Sequence, residues 1–94
     1  MKLQEINSLF RQDKEQEKIL SDVCDHLKHK YTVDAYFCRI TGKRWSFMAG
    51  SKDVEIPRHR FQLNSDKGVI VEDIDHLQEQ QWREILDTIK SNIN

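Results

Sequence analysis

The stretch VDAYFCRITGKRWSFMAG, residues 33–50, decides how this chain folds. Tyr36, Cys38 and Ile40 alternate with Phe37 and Arg39 in a run rich in aromatic and β-branched residues, the pattern of a strand. Thr41-Gly42-Lys43 supplies a turn in which glycine is free to take a positive φ. Trp45, Phe47 and Ala49 then alternate with Arg44, Ser46 and Met48 as the return strand, and Gly50-Ser51 closes the hairpin. Trp45, Phe47 and Ala49 share one phase, so the spacing predicts that both rings turn to the same side, towards the core.

Downstream the extended character continues. Val54-Glu55-Ile56 reads as a short extended piece, and Pro57, which cannot donate to a ladder, marks an edge or a strand end. Phe61 and Leu63 alternate with Arg60 and Gln62. Asn64-Ser65-Asp66-Lys67-Gly68 is the strongest turn signal in the chain, and Val69-Ile70-Val71 follows it as a more buried strand. These segments form a second hairpin.

Both flanks read as helical. Ile19, Leu20, Val23, Cys24, Leu27 and Tyr31 fall on one face of a 3.6-residue period. Everything between Phe10 and Ile19 is polar, which places a break near Arg11 to Asp13 and leaves residues 1–12 as a separate short helix or arm. Ile6, Leu9 and Phe10 then either pack on the domain or dock on a partner. At the other end Trp82, Ile85, Leu86, Ile89 and Ile93 form a second apolar stripe. Its start has two frames: a capping box from Asp75 to Gln78, or Gln78 as cap with Leu77 and Trp82 as a hydrophobic staple. The second accounts better for Trp82, which would bridge this helix to the sheet.

The order is therefore α-β-β-β-β-α. It predicts an α+β fold of two layers, an antiparallel sheet of two hairpins (three to five strands) with the N-terminal and C-terminal helices on one face. Ninety-four residues suffice for one domain, 1–94. The N-terminus lacks the apolar core of a signal peptide, and no window resembles a membrane span, so the expectation is a cytoplasmic protein that does not engage a membrane. Cys24 and Cys38 would then stay reduced.

Little in the sequence points to catalysis. Asp22, Cys24, Asp25, His26 and His29 gather on the first long helix, but zinc needs about four ligands with paired spacing, and Cys24 lies on the apolar stripe. The reading is a buried thiol beside solvated Asp–His pairs, with no metal site. A nucleophilic Cys38 would need a base and an electropositive setting, and a thiol in an aromatic-rich strand is usually core. Phosphate loops, serine elbows, HExxH and CxxC are all missing from the sequence. No catalytic residue and no cofactor is assigned, and the chain is not expected to be an enzyme.

Charge is more informative. Residues 39–60 hold six cations against two carboxylates, a net of +4, whereas residues 61–94 hold three against seven, a net of −4. Such poles steer anionic partners or pair with each other. The first expectation is a binding domain for another protein, or for a second copy in a homodimer, acting through the 39–60 region. The candidate residues are Arg39, Lys43, Arg44, Trp45, Arg58, His59 and Arg60. The alternative is single-stranded nucleic acid on the same surface, with cations on phosphates and Trp45 or Phe47 stacked on bases; a sequence pI of 6.4 weighs against it. A third reading is a small-ligand regulatory domain in which Arg39, Arg44 or Arg58 holds a carboxylate or phosphate.

Overall fold

The computed structural model describes residues 3–50, 59–72 and 74–93. Along the chain run α1 (Gln4–Phe10), α2 (Gln16–Tyr31), β1 (Ala35–Thr41), β2 (Arg44–Gly50), β3 (His59–Gln62), β4 (Lys67–Val71) and α3 (Glu79–Asn92). The four strands form one antiparallel sheet in the order β2-β1-β4-β3, so the two hairpins meet through β1 and β4. This is the α+β arrangement read from the sequence. The expected extended piece at Val54–Ile56, Pro57 and Arg58 lie outside the described residues.

The polar gap after Phe10 separates two helices. Ile6 of α1 is fully buried, so this short helix packs on the core between α2 and α3. α2 ends where Thr32 takes a left-handed conformation (φ 56°), and the amides of Thr32 and Val33 return to the carbonyls of Lys28 and Leu27. α3 starts in the staple frame: Gln78 precedes it with no side-chain cap, and Leu77 and Trp82 both join the core.

The buried residues of all three helices belong to one cluster with Ala35 and Phe37 of β1, Ala49 of β2, and Val69 and Val71 of β4. Cys38 and Ile70 are equally buried but stand outside that cluster, because they point to the other face. The helices thus cover one side of the sheet, and α2 lies against β1 and β2.

One expectation fails in an instructive way. Phe37 pairs with Ala49 but Cys38 pairs with Phe47, so Met48 is an extra residue on β2. This β-bulge shifts the phase of β2 by one residue, and a one-residue shift exchanges faces. Ala49 stays on the core side, while Trp45 and Phe47 turn to the helix-free face instead of into the core.

Candidate functional site

Cross-strand pairing defines what the helix-free face carries. Tyr36, Cys38 and Ile40 of β1 lie opposite Gly50, Phe47 and Trp45 of β2, and opposite them on β4 stand Ile70 and Gly68, followed by Arg60 and Gln62 of β3. Tyr36 and Phe47 pack ring on ring with centroids 5.6 Å apart. The indole of Trp45 reaches across β1 and lies over Gly68, where its ring would obstruct a Cβ. From β3, the Arg60 guanidinium sits 5.7 Å from the Trp45 ring centroid, a cation–π contact. Phe47 remains 45% exposed, an unusual position for a phenylalanine.

These side chains bury Cys38 beneath them. Burial pushes its thiol up to about 11, a rise that nearby Arg60 partly opposes. Cys24, in the core on the opposite side of the sheet, is raised further by burial and by Asp25. Both cysteines are free and neither has the lowered thiol pKa a nucleophile needs. The same burial raises the Tyr36 phenol.

The candidate residues from the sequence divide between the two faces. Trp45 and Arg60 come together on the helix-free face. Arg39 pairs with Ser46 and Lys67 in the phase of Phe37, so it leans to the helix side, exposed near the end of the sheet. Arg44 opens β2 opposite Thr41, and Lys43 sits in the adjoining turn beside Gly42 (φ 63°); both are exposed. His59 pairs with Val71 on the helix side and stacks on Phe61 at 6.3 Å. Arg58 lies outside the described residues. Tyr36 was not singled out beforehand, although its alternation with Phe37 contained the signal; what was missing was which of the two faces the core.

The hairpin end of the sheet is cationic. Arg39, Lys43 and Arg44 are exposed there, and Arg60 is exposed nearer the other end of the sheet, opposite Ile70. Lys67 is buried with its ammonium 3.5 Å from the Asp66 carboxylate, so that charge is balanced locally. The turn that holds it is fixed by Asn64, whose Oδ1 accepts from the amides of Asp66 at 3.0 Å and Lys67 at 2.8 Å.

Other parts of the molecule offer less. Among the described residues, no group of three or more His, Cys, Asp or Glu side chains is placed to hold a metal ion. In the cluster read on α2, Asp22 pairs with Lys14 at 3.1 Å and the His26 ring meets Tyr31 edge-on. An open cleft of about 740 Å³ lies between Leu3, the end of α2 and the start of α3. Its walls are Lys30, Tyr31, His76, Glu84 and three glutamines, and Lys30 is already bound to Glu5 at 2.7 Å. Small-ligand sites are mostly apolar and enclosed, and this cleft is neither. Among the described residues, no helix is long and apolar enough to cross a membrane.

No family model matches the chain, and no curated protein or solved structure is found to be similar to it.

Proposed function

We propose that this protein is a binding module whose contact surface is the helix-free face of the sheet, and that its partner is anionic. The observation that carries the reading is the placement of Tyr36, Trp45 and Phe47 together with Arg60 on the face that the helices leave bare. Aromatic rings and arginine are the side chains that dominate recognition surfaces, since both give large contact area at small conformational cost. The bulge at Met48 turns two of these rings out of a core that has use for them, against the usual gain from burying a ring. The cation beside the rings supports an anionic partner. Partners of this kind include the acidic surface of another protein, the acidic pole of a second copy, and a nucleic acid.

The test is a photo-crosslinking side chain placed at position 47, compared with one at position 18, where Lys18 is exposed on α2. In the cells that make the protein, position 47 should give adducts that weaken strongly in an Arg60→Glu background, and position 18 should not. Equal adducts from both positions, or none from position 47, would remove the proposal.

A further inference from the structure

We infer that the partner on this face is a single-stranded nucleic acid, a conclusion that rests on the face being the contact surface. Trp45 and Phe47 are alternate residues of β2 and their rings diverge: the indole leans across β1 onto Gly68, and the Phe47 ring packs beside Tyr36. The rings are separate, so each can take its own unstacked base from an extended chain. Tyr36 backs Phe47 from the neighbouring strand and Gly68 backs Trp45, so both platforms are held before binding. Arg60 lies beside the indole, and Lys43 stands in the turn that leads into the strand carrying both rings. A chain running along β2 thus meets stacking surfaces followed by cations.

The chemistry distinguishes the three kinds of anion. A nucleotide brings a flat π face and a phosphate in every repeat, which matches rings with cations beside them on a sheet. An acidic peptide pairs with the cations but covers the rings only if it also carries apolar groups at the right spacing. A second copy placed face to face sets the cations of this face, Arg60 and Lys43, against those of its partner, and like charges across an interface are unfavourable. The acidic pI of the chain does not oppose the inference, because the carboxylates of α3 belong to the helix layer on the far side of the sheet.

The experiment titrates the whole chain with oligothymidylate and oligouridylate of about 12 nucleotides, followed by anisotropy and backbone amide shifts. Shifts should centre on residues 36–47 and on Arg60. With about two phosphate contacts, at Arg60 and Lys43, affinity should fall about sevenfold between 50 and 200 mM salt. Phe47→Ala, at a ring that stands outside the hydrophobic core, should weaken binding about tenfold or more. Lys18→Glu should leave it unchanged. Absence of binding at low salt overturns the inference. So does a protein adduct at position 47 that resists nuclease, or a dimer abolished by Phe47→Ala; in both cases the contact-surface reading survives. If position 47 gives no adduct of any kind, both fall together.

Discussion

Two glycines on this sheet fail differently when a methyl group is added, and the contrast tests where the side chains lie. At Gly50 the backbone holds φ at 121°, and a Cβ would stand 2.7 Å from the Tyr36 Cα and 2.8 Å from both the Ala35 carbonyl oxygen and the Cys24 sulfur. None of the backbone atoms can withdraw, so Gly50→Ala should cost about 2–3 kcal/mol in chemical denaturation. At Gly68 the nearest atoms are Cζ3 and Cη2 of Trp45, the far end of a side chain on the helix-free face. Gly68→Ala should therefore cost less, about 1 kcal/mol, while displacing the indole from its seat. Near-ultraviolet dichroism and the emission of Trp45 would register that displacement, with Trp82, buried against Phe61 at 5.5 Å, as the unmoved reference. A Gly68→Ala protein with an unchanged tryptophan signal would contradict the placement of the ring.

Helices and hairpins were legible because their signals are local. Apolar residues at steps of three and four mark α2 and α3, and Asn64 with Gly68 marks the second turn whatever the rest of the chain does. Which face a strand side chain takes is not local. It depends on the register with β1, and the single extra residue Met48 reverses it for Trp45 and Phe47. The basic 39–60 region was legible as composition, yet alternation splits it, sending Arg39, Arg44 and His59 to the helix side and Trp45 and Arg60 to the bare face. Deleting Met48 should restore the uninterrupted alternation and force either the rings inwards or Ala49 outwards. A loss of about 3 kcal/mol or more is expected, or failure to fold. Met48→Ala keeps the bulge and loses only part of a half-buried side chain, at about 1 kcal/mol. Equal losses from the two changes would mean that the bulge does not set the face. At the end of α2, Thr32 holds a left-handed conformation that a β-branched residue tolerates poorly. Thr32→Gly should raise stability by about 1 kcal/mol in the same assay.

For the whole molecule, the sheet separates two environments that contain one thiol each. With a radius of gyration of 12.3 Å the chain is as compact as a folded domain of its length, so Cys24 on the helix side and Cys38 on the bare side are both shielded from water. Burial is the leading cause that raises each thiol, and for Cys38 it raises the value from 9.0 to about 11. Below about pH 9 the folded and unfolded chains both hold these protons and stability is unaffected. As pH climbs further the unfolded chain releases them first, which favours unfolding until Cys38 itself ionises in the folded chain near 11. Denaturation midpoints should therefore stay level to about pH 8 and fall between 9 and 11. Cys38→Ala should make that fall shallower. An unchanged slope would show that the Cys38 thiol meets water, and hence that Tyr36, Trp45 and Phe47 do not close over it as a platform. The same titration, repeated with bound oligonucleotide, joins the two faces of the argument. A ligand stacked on those rings shields Cys38 further and stabilises only the folded chain, so the midpoints should rise and their fall should begin at the same pH but continue to higher pH.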